Sequence, residues 1–104
     1  MCSCYTIHTT TLIAAKRGIR MQQFMRRFTQ LNGVETTVTL EHCLFDGQTF
    51  NCKELQTIND NERIGVVLKG QEKFIYKHDI KLAEVLDGAY IISDGRLTIK
   101  VNKL

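Results

Sequence analysis

The chain has no proline and no tryptophan among its 104 residues, and residues 1–33 contain no aspartate or glutamate. No apolar run approaches the ~20 residues needed to cross a bilayer. The stretch Leu12–Ala15 is too short for a secretory signal, and charge follows it instead of preceding it. Without a repeat, a low-complexity stretch or a linker, we expect a single domain over residues 1–104, located in the cytoplasm.

The candidate metal ligands are few and poorly spaced. They are Cys2, Cys4, Cys43 and Cys52, together with His8 and His42. Structural zinc sites usually pair ligands two to four residues apart in two separate turns, and Cys52 has no close partner in the sequence. In a reducing compartment the cysteines should be thiols. We therefore expect neither a disulfide framework nor a bound metal or cofactor.

Positive charge is concentrated near the beginning of the chain. Five basic residues give residues 1–33 a formal charge of +5, whereas the whole chain carries +3; they are Lys16, Arg17, Arg20, Arg26 and Arg27. A concentrated cationic segment attracts phosphate-bearing partners and supplies a salt-dependent share of binding free energy. Nucleic acid is the leading partner class, ahead of an anionic membrane surface. A solvated helix face without a ligand is the alternative.

Helical periodicity is clearest just after this segment. Apolar side chains recur at intervals of three and four residues, at Met21, Phe24, Met25, Phe28 and Leu31. This spacing predicts an amphipathic helix whose apolar stripe packs on a sheet. Asn32-Gly33 supplies the left-handed stop that helix ends commonly need.

From Val34 the period changes to two. Val34, Thr36, Val38, Leu40, His42 and Leu44 are predicted to share one face of a strand. Turns are predicted at Asp46-Gly47, Asn59–Asn61 and Gly70-Gln71. They separate further strands, including 63–69 with Ile64, Val66 and Leu68 on one face, and 72–78 with Phe74 and Tyr76 on one face. The apolar parity breaks between Cys52 and Leu55, which predicts a bulge or sharp bend that lets a small sheet curl on itself.

A hairpin is predicted near the end of the sequence. With Asp94-Gly95 as a two-residue loop, Ile92 would face Leu97 and Tyr90 would face Ile99. The preceding residues 79–88 could form a strand end or a short helix, and the sequence leaves that choice open.

The sequence provides no support for an enzyme. It contains no P-loop, HExxH, Rossmann or Ser-His-Asp spacing. Most aspartates stand at turn positions, which explains them without catalysis. If His78 and Asp79 are neighbours on a strand, their side chains point to opposite faces and cannot act as a pair.

Several motifs follow one another in a distinctive order between residues 21 and 83: Gln22, Thr37-Val38-Thr39-Leu40, Asp46-Gly47, Val66-Val67-Leu68-Lys69-Gly70 and Tyr76-Lys77-His78. Over about these residues the chain resembles Sm-like proteins of the bacterial Hfq type. The resemblance implies a mainly β fold with an N-terminal α-helix and a small, strongly bent SH3/Sm-like barrel. On this view residues 1–20 are an extension, residues 21–83 form the core, and residues 84–104 add a C-terminal hairpin.

The resemblance also implies a function and a set of residues. The family forms rings, usually of six subunits, whose helix-bearing face binds uridine-rich single-stranded RNA; the matching positions here are Gln22, Tyr76, Lys77 and His78. The chemistry of these side chains agrees, because lysine can neutralise a phosphate while histidine and glutamine can hydrogen-bond a base. The simpler interpretation is that Tyr76 and His78 are half-buried strand residues and that Lys77 is a solvated one.

The sequence thus predicts a small β protein that binds single-stranded RNA without catalysis, as a homo-oligomer such as an Sm-like ring. The predicted RNA-binding residues are Gln22, Arg26, Arg27, Tyr76, Lys77 and His78. No membrane contact is expected. The alternative is a small accessory domain for protein interaction, whose basic helix binds an acidic partner surface.

Overall fold

The computed structural model describes residues 21–104, in which a helix is followed by eight strands. Residues 21–29 are helical. The strands are β1 (Thr36–His42), β2 (Phe45–Cys52), β3 (Gln56–Asn59), β4 (Arg63–Leu68), β5 (Gln71–Tyr76), β6 (Leu82–Leu86), β7 (Ala89–Ser93) and β8 (Leu97–Lys103), and a single 3-10 turn, Lys77–Asp79, follows β5. The predicted class, mainly β with a helix before the strands, is confirmed.

The strands form two antiparallel sheets. One has five strands in the order β2-β1-β8-β7-β6, and the other has three in the order β3-β4-β5. The sheets do not close into a barrel. Residues 84–104, predicted as an added hairpin, supply β7 and β8, and β8 lies in the middle of the larger sheet between β1 and β7.

The helix packs through its predicted stripe. Phe24, Phe28 and Leu31 are buried, and Met21 and Met25 pack half-buried against the same core. Since apolar side chains three and four residues apart share a helix face, local periodicity alone was sufficient to find this contact.

The end of the helix is fixed by Gly33 and Asn32. Gly33 has a φ of +83°, the left-handed conformation that its sequence position predicted. Its N–H donates to the carbonyl of Leu55 at 2.6 Å, and Thr57 N donates to Asn32 Oδ1 at 3.0 Å. These bonds attach the helix end to the segment that enters β3.

Strand β1 buries alternate residues as predicted, but the following turn comes earlier than expected. Thr36, Val38 and Leu40 are buried, whereas Leu44 is 77% exposed because it lies in the turn that joins β1 to β2. The N–H of Leu44 donates to His42 Nδ1 at 3.1 Å, which closes this turn directly after β1.

The predicted turn at Asp46-Gly47 is therefore wrong. Both residues lie inside β2, where the register shifts between Leu40 and His42 of β1. Leu40 pairs with Gln48 and His42 pairs with Phe45, so two residues of β2 stand against one of β1. The Asp-Gly pair forms a β-bulge, which increases the local twist of the hairpin.

The predicted break after Cys52 is confirmed. The chain leaves the larger sheet at Cys52 and enters the smaller one at Gln56. Leu55 lies between them, 1% exposed, and its N–H donates to the carbonyl of Val34 at 3.0 Å. Burial of this side chain holds the bend over the common core.

The β4–β5 hairpin contains the alternation that the sequence predicted. Ile64, Val66 and Leu68 are buried. The turn was expected at Gly70-Gln71 but lies one residue earlier, because Gln71 already pairs with Leu68 as the first residue of β5. The turn residues are Lys69 and Gly70, whose φ angles of 51° and 79° fit a type I′ hairpin turn. The predicted loop around Asn59–Asn61 likewise connects β3 to β4.

Phe74 and Tyr76 share one face of β5, as predicted, and that face points away from the core. Ile75, between them, is 1% exposed and fills the core instead. We call the side of the three-stranded sheet that carries Phe74 and Tyr76 the outer face.

The remaining strands settle one open choice and correct one register. Residues 82–86 form β6, and a turn at residues 87–88 with φ angles of 51° and 81° leads into β7. The predicted partners across the last hairpin are wrong, because Ile92 pairs with Ile99 and Tyr90 pairs with Val101. Asp94 Oδ1 accepts hydrogen bonds from the N–H groups of the second and third following residues, at 2.8 Å each, and lengthens the loop. A shift of two residues preserves the side-chain faces.

Candidate functional site

The first candidate surface is the solvent-facing side of the helix. Opposite its apolar stripe lie five exposed polar side chains: Gln22, Gln23, Arg26, Arg27 and Gln30. We call these residues the helix surface. They are gathered because steps of three and four residues return to the same side of a helix.

The helix surface has an open, polar groove. Gln23, Arg26, Arg27 and Gln30 line it. None of the salt bridges between residues 21 and 104 uses either arginine. The groove offers two charged guanidinium groups and amides that both donate and accept hydrogen bonds.

The second candidate surface is the triplet at the end of β5. Tyr76 is the last residue of that strand and is 44% exposed. Lys77 and His78 were expected to continue the strand, but they lie in the 3-10 turn. Because the chain turns there, the ring of His78 stacks on that of Tyr76, with centroids 5.7 Å apart and planes 22° apart.

The turn also corrects the expected relation between His78 and Asp79. Their side chains were expected on opposite faces of a strand. Instead, His78 Nε2 lies 3.5 Å from Asp79 Oδ1, and both side chains are exposed.

The stacked pair belongs to a longer aromatic row on the outer face. The ring of Phe74 meets Tyr76 edge-on with a centroid separation of 5.2 Å. The guanidinium carbon of Arg63 lies 4.9 Å from the centroid of Phe74, a cation–π contact. We call Phe74, Tyr76 and His78 the aromatic row.

Arg63 is fixed in place by two carboxylates. It bonds Asp60 Oδ2 at 2.9 Å and Glu72 Oε1 at 3.1 Å. Hydrogen bonds from the backbone N–H groups of Glu62 and Arg63, and from the Arg63 guanidinium, lower the pKa of Asp60 below its usual value. The bond to Asp60 in turn raises the pKa of Arg63. This arginine is therefore permanently charged and already paired.

Sequence reasoning missed Arg63, Asp60 and Glu72 as parts of this surface. A signal for the first was present. If Lys69 and Gly70 form a two-residue hairpin turn, antiparallel pairing places Arg63 opposite Tyr76, as observed. The contacts to Asp60 and Glu72 depend on long side chains, and no residue spacing predicts them.

The helix surface and the aromatic row are on opposite sides of the three-stranded sheet. Thr29, in the helix, accepts a hydrogen bond from Asn59 Nδ2 at 2.8 Å. Asn59 pairs with the fully buried Ile64 and so points to the core side. Tyr76 pairs with Arg63, one residue out of phase with Ile64, and so points to the outer face. The structure thus separates the six predicted RNA-binding residues into two groups of three.

Comparison with known protein families, with curated proteins and with solved structures gives no match.

Two further observations concern other ligand classes. Within residues 21–104, no three His, Cys, Asp or Glu side chains come together in a group that could hold a metal ion; Cys2, Cys4 and His8 lie outside the described residues. No helix in the described part of the chain is long and apolar enough to cross a membrane.

Proposed function

We propose that this chain binds single-stranded RNA without catalysing a reaction, and that the helix surface makes the principal contact. The observation that supports the proposal is the exposure of Arg26 and Arg27 beside three glutamines, with no intramolecular ion pair to either arginine within residues 21–104. Cations that no carboxylate neutralises remain available for phosphate groups.

The chemistry of the helix surface fits a flexible, unpaired strand. Guanidinium groups contact phosphates, and amides hydrogen-bond base edges that are accessible only in single strands. An open groove on a convex helix does not enclose a small molecule, which normally requires a concave and largely apolar pocket. Lys16, Arg17 and Arg20, which lie outside the described residues, would add to the positive charge of the same segment.

The aromatic row is a secondary part of this proposal. The ring of His78 is exposed and already stacked on Tyr76, so a uracil base could extend the stack. Lys77 would provide the counter-charge for an adjacent phosphate. The carboxylates of Asp60, Glu72 and Asp79 border this face and weaken phosphate binding there, which is why we assign the larger share of affinity to the helix surface.

The Sm-like resemblance adds two finer proposals. One is that the two sheets, although they do not close on each other, bend in the manner of an SH3/Sm-type barrel, and the other is a homo-oligomeric ring. The abrupt change of sheet at residues 53–55 is compatible with a curled arrangement. β5 pairs only with β4 among the described strands, so its other edge offers backbone groups to a second copy. Analytical ultracentrifugation separates a ring of five to seven subunits from a monomer or dimer.

RNA binding is tested by fluorescence anisotropy with a labelled oligo(U) probe. We expect Arg26→Ala combined with Arg27→Ala to weaken binding by about tenfold at low salt, and to flatten the dependence of log K on log salt by about 1.4, or ~0.7 per lost phosphate contact. Alanine preserves the helix.

The matched control removes two cations elsewhere. Lys81 and Arg96 are both exposed. The Lys81 side chain lies beside Gly95, the residue before Arg96, since a Cβ atom added to that glycine would lie 3.3 Å from Lys81 Cδ. The double variant Lys81→Ala, Arg96→Ala has the same net charge as the helix variant. Equal losses in both variants would reduce the interaction to net charge alone and would contradict the assignment to the helix surface.

A second function, protein interaction, is favoured by a separate observation. The outer face has an aromatic row in which Tyr76 and His78 are exposed, and carboxylates border it. Such a face suits a cationic protein segment better than a polyanion.

A further inference from the structure

The outer face has the opposite charge to the helix surface. Four carboxylates lie on or beside it, at Asp60, Glu62, Glu72 and Asp79. Against them stand Arg63, which two of the four already neutralise, and Lys77. Of the remaining two residues, Asp79 has its carboxylate beside the aromatic row, in contact with His78. Glu62 is exposed and its backbone adjoins the end of the row, because the N–H of Lys77 donates to the Glu62 carbonyl at 2.7 Å.

The chain already shows how this face binds a guanidinium. Arg63 lies over the ring of Phe74 while two carboxylates hold its nitrogens. Tyr76 is 44% exposed and lies next to Phe74, with the Asp79 carboxylate close by at His78 and the backbone of Glu62 adjoining Lys77. This second position thus offers an exposed ring and acidic residues without an arginine of its own.

A second copy of this chain has arginines that could occupy the position at Tyr76. Arg26 and Arg27 project from the helix surface, which has no acidic residue, and neither takes part in the ion pairs within residues 21–104. Because the helix lies on the core side of the three-stranded sheet and the aromatic row on the outer face, the two surfaces cannot meet within one molecule. They can meet between molecules.

We infer that the outer face of one copy binds the helix surface of another, with an arginine stacked on Tyr76 and paired with Glu62 and Asp79. Two different surfaces make this contact, so it is heterologous. Repetition gives a ring if the rotation closes and a filament if it does not. The contact does not use the strand edge of β5, and it depends on charge.

The test is a charge exchange followed by sedimentation velocity on the full-length chain after nuclease treatment. Variant A carries Arg26→Glu and Arg27→Glu, and variant B carries Glu62→Lys and Asp79→Lys. In variant A both the helix surface and the outer face are negative, and in variant B both are positive. We therefore expect both variants to sediment as monomers at concentrations where the wild type associates. An equimolar mixture restores opposite charges at both contacts, and we expect it to associate.

The control for variant B is Glu35→Lys with Glu54→Lys, two exposed residues outside the outer face, and this variant should still associate. Circular dichroism checks that each variant folds. A wild-type protein that remains monomeric at every concentration, or a mixture that fails to associate, overturns the inference. Wild-type association that persists in 1 M salt would also overturn the inference, since attraction between exposed charges is screened at that ionic strength.

The same variants separate this inference from RNA binding. Variant B leaves the helix surface intact, so its affinity for oligo(U) should not fall. Variant A should lose both self-association and RNA binding. Loss of association in B with retained RNA binding supports both proposals independently.

Discussion

Gly65 and Phe74 face each other across the β4–β5 hairpin, with no room for a side chain on the glycine. A Cβ atom on Gly65 would lie 2.5 Å from Phe74 Cα and 2.8 Å from Phe74 Cβ. The missing side chain lets Phe74 lie close against β4, where Arg63 covers its ring. This glycine is thus required for the geometry of the aromatic row, although it is not exposed itself.

Gly65→Ala should destabilise the protein by about 1–3 kcal/mol, because the new methyl group must displace backbone and not the end of a flexible side chain. Urea denaturation followed by circular dichroism measures the change. Gly47→Ala is the matched control, since its Cβ would meet only ordinary contacts, the nearest at 3.5 Å. Equal effects of the two substitutions would contradict the close approach at Gly65.

Phe28→Ala should cost about 3–5 kcal/mol, because Phe28 is a helix residue fully buried in the core cluster that the helix shares with the strands, and its removal leaves a cavity. Phe45 is 70% exposed, and Phe45→Ala should change the free energy of unfolding by less than about 0.5 kcal/mol. The two variants make the same substitution, one at a fully buried position and one at an exposed position. Similar losses at both positions would show that the helix does not pack as described.

Thr36→Val should stabilise the protein by about 1 kcal/mol. The hydroxyl of Thr36 is buried and finds no hydrogen-bond partner in the described structure. Valine has nearly the same shape and does not bury a polar group without a partner. The midpoint of denaturation should rise; a fall would mean that the hydroxyl has a partner in solution.

Asp60→Asn should reduce stability at neutral pH and remove part of the acid sensitivity. The pKa of Asp60 is lowered by hydrogen bonds from backbone N–H groups and Arg63, so its contribution is present above the unfolded pKa of about 4 and is lost as the pH falls through the folded value. Melting temperatures at pH 7 and pH 3 should therefore differ less in the variant than in the wild type. Asp46→Asn, at an exposed position in the bulge of β2, is the control and should leave that difference unchanged.

Local periodicity predicted much of the fold. The helix stripe around Phe28 and the alternation of Ile64, Val66 and Leu68 were confirmed, because both patterns follow from backbone geometry within one element. The bend after Cys52 was confirmed for the same reason, since a break in parity is visible within a few residues.

Two of the wrong predictions concern the same dipeptide, Asp-Gly. The sequence predicts a turn at residues 46–47 and a two-residue hairpin loop at residues 94–95. In the first case the His42 imidazole closes an earlier turn, and in the second the Asp94 carboxylate caps a longer one. Each outcome depends on one side chain, since His42 accepts one hydrogen bond and Asp94 accepts two, and these bonds compete with the intrinsic turn preference.

The predicted site was only partly accessible to sequence reasoning. The exposure of Gln22, Arg26 and Arg27 follows from helical periodicity, and the structure shows it. The separation of these residues from Tyr76 depends on which side of a sheet the helix covers, and nothing local to either segment determines that.

The central place of β8 has a consequence for the order of folding. β1 pairs with β2, its neighbour in sequence, and also with β8, which lies some sixty positions further along the chain; Thr36 stands opposite Lys103. During synthesis on the ribosome, the larger sheet stays incomplete, with one side of β1 unpaired, until β8 has emerged. Such a delay slows folding and exposes an incomplete edge to aggregation, and chaperones that shield nascent strands should raise the yield of this protein.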